Sequence, residues 1–213
     1  MTAAANDRSL TTPQAFFARA AERLHAQPPD GPASGEQTLN PDLFADGTGF
    51  QEAAVLVPVV AHETGPTALL TLRTPYLSVH AGQIAFPGGK IEASDEGPGA
   101  AALREAREEI GLDLAAVTII GYLDRYLTGT GYRITPVVGR VAPDPMLALN
   151  PQEVQEAFEV PLTFLMNPRN HRRGSRILKG RERHFYEMPF EGRYIWGITA
   201  GIIRGLYERM FVS

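Results

Sequence analysis

The 213 residues carry 24 Asp and Glu against 20 Lys and Arg, a formal net charge of −4, with 44% hydrophobic and 21% charged residues. A chain of this kind can bury a core of its own, and its charge gives no bulk attraction to nucleic acid. Zero cysteines exclude disulfides and thiolate metal ligands. No apolar run is long enough to span a bilayer, and the opening MTAAANDRSLTTPQ lacks the apolar stretch of a secretory signal, so the expectation is a cytoplasmic protein with neither a nucleic-acid nor a membrane partner.

Taken in chain order, the first dozen residues read as disordered. Thr12 and Pro13 then open a helix, because threonine caps and proline suits the first helical position. Phe16, Phe17, Ala20 and Leu24 give that helix one apolar stripe. From Gln27 to Thr48 the sequence is dense in Pro, Gly, Asp and Asn and reads as a long loop. Residues 1–48 are therefore expected to be an N-terminal helical appendage, and 49–213 the main domain. The helix and loop are candidates for a homodimer interface or a lid, and the residues do not choose between them.

Apolar runs at Ala53–Val60, Thr67–Arg73, Thr118–Arg125 and Arg133–Val141 are rich in Val, Ile, Leu and Thr and predict strands. Between the second and third, Pro98 to Ile110 predicts a helix ended by Gly111, with Ala102, Leu103, Ala106 and Ile110 on its buried face. Further on, Phe158–Leu165 predicts a strand or helical turn, and Arg169–Arg183 a basic, irregular segment. Phe185–Phe190 with Tyr194–Trp196 predicts a hairpin, and Ile198, Ile202, Ile203, Leu206 and Met210 mark a C-terminal helix. The expected class is α/β, a mixed sheet sandwiched between helices.

The helix at 98–110 carries most of the chemistry. Glu105, Glu108 and Glu109 stand at i, i+3 and i+4, so all three carboxylates share one face. In an isolated helix each such pair repels by roughly 0.2–0.5 kcal/mol, and a cation would offset that. Oxygen-only clusters suit Mg2+ or Mn2+, and Gly88-Gly89 upstream lets backbone approach a metal or phosphate. The plainer alternative is a solvated face balanced by Arg104 and Arg107.

The run Arg104-Glu105-Ala106-Arg107-Glu108-Glu109-Ile110-Gly111-Leu112, with Gly88-Gly89 before it, resembles the Nudix box. Glu96 has the family spacing, with seven residues between it and Arg104. Gly89 lies one residue too far from Glu96, which reads as an insertion in the loop before the helix. The resemblance implies that Glu105, Glu108 and Glu109 are metal ligands, with the Gly89 carbonyl as an additional one. It also implies that Arg104 orients a glutamate. The base that takes a proton from water would be Glu108, Glu109 or Glu153. For Glu153 the competing reading is a first-turn helix glutamate.

Upstream, Leu69-Leu70-Thr71-Leu72-Arg73 runs through Leu77, Ser78, His80, Gly82 and Gln83 to Phe86-Pro87-Gly88-Gly89. This is similar to the signature of the coenzyme A pyrophosphatases of the Nudix superfamily. The resemblance implies hydrolysis of coenzyme A or a derivative to 4′-phosphopantetheine and adenosine 3′,5′-bisphosphate. Arg73 matches phosphate by its planar fork, while His80, Gln83 and Gly88 are further substrate candidates. For His80 and Gly82 local structural roles compete. The basic run His171, Arg172, Arg173, Arg176, Lys179, Arg181 and Arg183 offers an anion site or a solvated loop. Phe185, Tyr186 and Trp196 offer adenine stacking or core packing.

Three alternatives stand beside this reading. One is a Nudix hydrolase of ADP-ribose or a nucleoside triphosphate. Another is a non-catalytic nucleotide-sensing module, against which the three intact glutamates speak. The third is an isoprenoid diphosphate isomerase, whose usual cysteine is missing here.

Overall fold

The segment Gln51–Val60 sends Ala54, Leu56 and Val60 to one side and Ala53, Val57 and Val59 to the other, all buried. Such a strand belongs in the middle of a sheet covered on both faces. The structure, a computed structural model, describes residues 10, 12–31, 34–44, 49–77, 80–178 and 180–212. In chain order the elements are α1 (Pro13–Arg23), β1 (Ser34–Gly35), β2 (Gln51–Val60), β3 (Thr67–Arg73), β4 (Ile84–Ala85), β5 (Gly88–Lys90), α2 (Pro98–Ile110), β6 (Val117–Tyr122), β7 (Tyr126–Leu127) and β8 (Tyr132–Val141). There follow β9 (Val154–Pro161), α3 (Leu162–Leu165), β10 (Arg172–Leu178), β11 (Arg181–Phe190), β12 (Arg193–Trp196) and α4 (Gly197–Phe211).

Among the described residues nine strands form one mixed sheet, with β2 at its centre. β2 runs parallel to β8 over its full length, from Gln51 opposite Tyr132 to Val60 opposite Val141. On its other side β2 pairs antiparallel with β5 through Ala53–Val55 and with β3 at Val59 and Val60. β3 carries β9 and β4. A second sheet, β10-β11-β12, stands apart.

Helices cover both faces. One apolar cluster joins α2, through Ala101, Ala102, Ala106 and Ile110, to Leu56, Leu69 and Val137 of the sheet. The other joins Phe16, Phe17, Ala20 and Leu24 of the N-terminal segment to α4 through Ile202, Ile203, Leu206 and Met210. The architecture is the expected α/β sandwich. Thr12 caps α1, its hydroxyl accepting from the Ala15 N–H at 3.3 Å. Gly111 ends α2 in the left-handed conformation at φ 64°, where a side chain would be strained.

Some expectations are corrected. Arg169–Arg183 is not irregular: it supplies β10 and the start of β11, an antiparallel hairpin in register from Arg172 opposite Glu187 to Leu178 opposite Arg181. β10 exposes nearly every residue, so it shows no alternation for a sequence reading to find. The third strand ends at Tyr122 rather than Arg125. On α2, Leu103 is only half-buried, whereas Ala101 and Glu109 join the buried face. The stretch from Gln27 to Thr48 contains β1, paired in parallel with β7, and 3-10 turns at Glu36–Thr38 and Pro41–Phe44. Of the opening dozen residues, only Leu10, which is buried, and Thr12 are described. Ser78 and Lys179 lie outside the described residues.

Candidate active site

Proline at the first turn and glycine past the last fix α2, and the 3.6-residue period then sorts its glutamates. The face that carries Ala102 and Ala106 inward also carries Glu109, whose side chain is 2% exposed. Glu105 is partly buried, at the edge of that face, and Glu108 is half in solvent. Glu105 lies against β5, where Gly89 pairs with Ala54 of β2. A Cβ on Gly89 would collide with the Glu105 carboxyl group, so a larger residue there would displace that carboxyl.

Arg73 reaches Glu109 from the end of β3. The β3–β9 register shifts between Leu72 and Arg73, and a bulge of this kind re-aims a side chain. Its Nη1 donates to Glu109 Oε1 at 3.1 Å. Glu109 Oε2 and Arg73 Nε are both buried without a hydrogen-bond partner among the described residues. Burial pushes the Glu109 carboxyl from 4.5 up to about 7, against the attraction of Arg73 and with added repulsion from Glu105 and Glu153. Burial also raises Glu105, while Arg104 pulls it down.

Arg104 organises the exposed side of the cluster. Its Nη1 donates to Glu105 Oε1 at 3.0 Å and to Glu108 Oε2 at 3.2 Å, and its Nη2 to the Lys90 carbonyl at 3.0 Å. It also grips Asp95 with two bonds, Nε to Oδ1 at 3.0 Å and Nη2 to Oδ2 at 3.1 Å. The acid opposite Arg104 is thus Asp95, not Glu96, which is exposed. Asp95 Oδ2 also accepts from the Glu92 N–H at 2.8 Å, closing a turn. Arg104 first and that backbone bond second hold its carboxyl below the usual carboxylate range. The extra residue therefore lies between this acid and the helix, since Gly89 and Asp95 have five residues between them.

The end of α2 is tied to the loop before β9. The Ala148 and Asn150 N–H groups donate to the Ile110 and Glu109 carbonyls, each at 2.9 Å, satisfying acceptors a helix end leaves open. This tie sets Glu153 close enough to raise both Glu105 and Glu109. Glu153 stands in a turn, not in a first helical turn, and accepts from Asn150 Nδ2 at 3.3 Å.

A cleft of about 510 Å³ opens beside the acidic helix. Arg73, His80, Gln83 and Gly88 all line it; Glu105, Glu108, Glu109 and Glu153 do not, and Arg73 is the residue shared by both regions. His80, at φ 57°, bonds through Nδ1 to Gln83 Oε1 at 2.9 Å, so these two side chains are already engaged with each other. The cleft walls are apolar around Ile84, Phe86, Ile134 and Ile198. Arg176, Arg183, Phe185 and Trp196 also line it, together with Glu36 and Asn40 from the N-terminal segment. Of the aromatic candidates, Phe185 and Trp196 line the cleft, edge to face at 5.2 Å, and Tyr186 does not. His171 of the basic run is turned to the Leu165 carbonyl at 2.6 Å. Sequence reading missed Asp95, Glu36 and Asn40; the spacing from Gly89 could have found the first, and nothing local marks the other two.

Residues 50–179 match the NUDIX domain family. The chain is also 39% identical over 170 residues to the uncharacterized Nudix hydrolase NudL of Escherichia coli strain K12, covering 80% of this chain and 88% of that protein. The chain belongs to the Nudix family. It is a Nudix pyrophosphatase. NudL of Shigella flexneri is 39% identical over 177 residues, covering 83% and 92% of the two chains. Among solved structures, the Nudix hydrolase RenU of M. smegmatis is similar with 27% identity, 62% and 80% coverage and a TM-score of 0.46. The NUDIX domain of Shewanella oneidensis NrtR, complexed with ADP ribose, has 17% identity, 54% and 75% coverage and a TM-score of 0.42. Among the described residues no helix is long and apolar enough to cross a membrane.

Nudix hydrolases generally use divalent metals. Among the described residues no three His, Cys, Asp or Glu side chains form a ready metal-holding group: Glu105 and Glu108 turn to Arg104, and Glu109 turns to Arg73. The donor chemistry nevertheless fits a hard cation. Three carboxylates stand on one helix, two are pushed toward protonation, and one buried oxygen, Glu109 Oε2, has no partner.

Proposed function

We propose that this Nudix enzyme hydrolyses the diphosphate of coenzyme A or a derivative, giving 4′-phosphopantetheine and adenosine 3′,5′-bisphosphate. The observation that supports this most is the cleft. Arg73, His80, Gln83 and Gly88, all from the segment that resembles the coenzyme A pyrophosphatase signature, line one cavity that meets the acidic helix at Arg73. We also propose that residues 1–48 are an appendage to a hydrolase domain over 49–213, although α1 shares the core of that domain and Glu36 and Asn40 its cleft.

Glu105, Glu108 and Glu109, with the Gly89 carbonyl, would hold Mg2+ or Mn2+. Bound there, the metal would neutralise phosphate charge and lower the pKa of water. Arg73 would bind a phosphate oxygen of the diphosphate while restraining Glu109. Arg104 is a positioning residue that fixes Glu105 and Glu108. Water adds to one phosphorus and the bridging P–O bond breaks, its electron pair leaving on the departing phosphate oxygen. The proton lost by water goes to a carboxylate. Glu108 and Glu109 are the first candidates for that base, and Glu153 is the second.

The test is a substrate panel of coenzyme A, ADP-ribose and a nucleoside triphosphate with Mg2+, Mn2+ or EDTA, read by product mass. Metal-dependent release of 4′-phosphopantetheine, lost in Glu109→Gln, is the expected result. Turnover of ADP-ribose or the triphosphate alone would refute the coenzyme A assignment.

A further inference from the structure

The turn Asn150-Pro151-Gln152-Glu153 brings a further carboxylate up to the acidic helix, and one side chain holds it there. Proline presets the second residue of a turn, and asparagine at the first bonds the backbone two positions on. Asn150 does so: its Oδ1 accepts from the Gln152 N–H at 3.1 Å, and its carbonyl accepts from the Glu153 N–H at 3.1 Å and the Val154 N–H at 2.9 Å. Its side-chain donor, Nδ2, goes to Glu153 Oε1 at 3.3 Å. The opposite orientation of the amide would set its oxygen against a carboxylate and its NH2 against an N–H. The backbone N–H of Asn150 donates to the Glu109 carbonyl at 2.9 Å. One residue therefore bonds both to the end of α2 and to the Glu153 carboxylate. The turn also has anchors of its own: the buried Thr74 donates its N–H to the Glu153 carbonyl at 3.0 Å and its hydroxyl to the Gln152 carbonyl at 3.1 Å.

The acids of the helix are each oriented by an arginine, Glu105 and Glu108 by Arg104 and Glu109 by Arg73. Glu153 forms no ion pair among the described residues, and its side-chain partner is Asn150. Its charge nevertheless acts on both Glu105 and Glu109. We propose that Asn150 is a positioning residue of the hydrolytic reaction, which presents the Glu153 carboxylate to the face of α2 that carries Glu105 and Glu109. A neutral amide fixes one oxygen of a carboxylate and leaves its charge uncompensated, as a group that takes a proton or faces a cation requires. The inference rests on the reading of this face as the hydrolytic site, with Glu153 in it.

Two variants remove the donor and keep the turn. In Asn150→Ser the hydroxyl can still accept from the Gln152 N–H but is too short to reach Glu153. In Asn150→Asp one oxygen takes that N–H and the other repels the carboxylate. Both should fold, which melting curves check. The assay is kcat and KM with Mg2+ on whichever of coenzyme A, ADP-ribose and a nucleoside triphosphate the wild type cleaves fastest. In both variants kcat should fall roughly 10- to 100-fold, the scale of a misplaced reacting group, with KM changed less than about two-fold. Glu153→Gln should lose at least as much. In that background Asn150→Ser should lower kcat by less than about two-fold more, because its effect passes through Glu153. Losses that multiply in the double variant, a change confined to KM, an unchanged kcat in Asn150→Ser or Glu153→Gln, or failure of both Asn150 variants to fold would overturn the proposal. Wild-type turnover with multiplying losses removes the role of Asn150 alone, whereas no wild-type turnover of any substrate removes the reading of the site together with it. The coenzyme A assignment is decided separately, by product masses, since the comparison holds for whichever substrate is cut.

Discussion

Replacing Glu109 by glutamine should make the metal-free protein more stable and less active. Glu109 is 2% exposed, its Oε2 has no partner among the described residues, and its carboxyl is pushed by burial to about 7 instead of 4.5 even with Arg73 beside it. Below pH 4.5 the group is protonated both folded and unfolded, and its burial then carries no charge penalty. As pH rises from 4.5, the unfolded chain ionises first, so stability falls with each pH unit until the folded carboxyl also ionises at about 7. The interval is worth roughly 3 kcal/mol. Glutamine stays neutral throughout and its carbonyl can still accept from Arg73 Nη1, so it behaves as the protonated acid does. The assay is thermal melting of wild type and Glu109→Gln in EDTA at pH 4.5 and pH 8. The two should nearly coincide at the acid end. At pH 8 the variant should melt higher by up to roughly 6–12 °C for a chain of this size, while losing turnover by about 100-fold or more. A variant that melts at or below the wild type at pH 8 would refute the argument, since it would mean that the Arg73 pair outweighs the burial of the charge. Added Mg2+ should stabilise the wild type more than the variant and narrow the gap.

Two further perturbations separate scaffold from chemistry. Gly88→Ala puts a Cβ 2.7 Å from the Val55 Cα in the central strand, so it should lower the melting temperature, by roughly 1–3 kcal/mol of stability. Gly89→Ala instead meets the Glu105 carboxyl, so it should reduce metal-dependent turnover more than stability; equal melting shifts in the two variants would contradict this. Asp95→Asn removes a charged partner of Arg104 and should lower kcat, whereas Glu96→Gln should change it less than about two-fold, because an exposed acid without a specific role is nearly neutral to substitution. The Asp95 contribution to stability is present above pH 3.8 and disappears as pH falls through its lowered value, so the melting difference between wild type and Asp95→Asn should vanish in acid.

What the sequence made legible was whatever local periodicity governs. The strands at 51–60, 67–73 and 132–141 and the helix at 98–110 follow from apolar pattern, proline and glycine, and the helical period brings Glu105 and Glu109 to the inner side of α2. Glu96 has the family spacing to Arg104, but the acid that the guanidinium grips is Asp95. Counting back from Arg104 assumes that the residues between form one fixed path, but the chain closes a turn from Glu92 to Asp95 first, and the turn decides which acid faces the guanidinium. A count forward from Gly89 respects that turn and reaches Asp95.

The cleft was legible on one wall only. Arg73, His80, Gln83 and Gly88 lie close in sequence and share it, but the rest of its lining depends on contacts that no local pattern encodes. Asn40 binds His184 in both directions, donating to its carbonyl at 2.8 Å and accepting from its N–H at 2.8 Å, across 144 positions of chain. This part-buried pair of bonds joins the N-terminal segment to β11 and so fixes where Arg183 and Phe185 stand. The basic run likewise looked uniform because charge alone does not reveal strand register. A slip of one residue would turn each side chain of β10 to the other face, removing Arg176 from the side that Arg183 shares. The site therefore has two origins: a helix whose own period arranges the acids, and a hairpin whose register selects, from several arginines, the two that face the cleft.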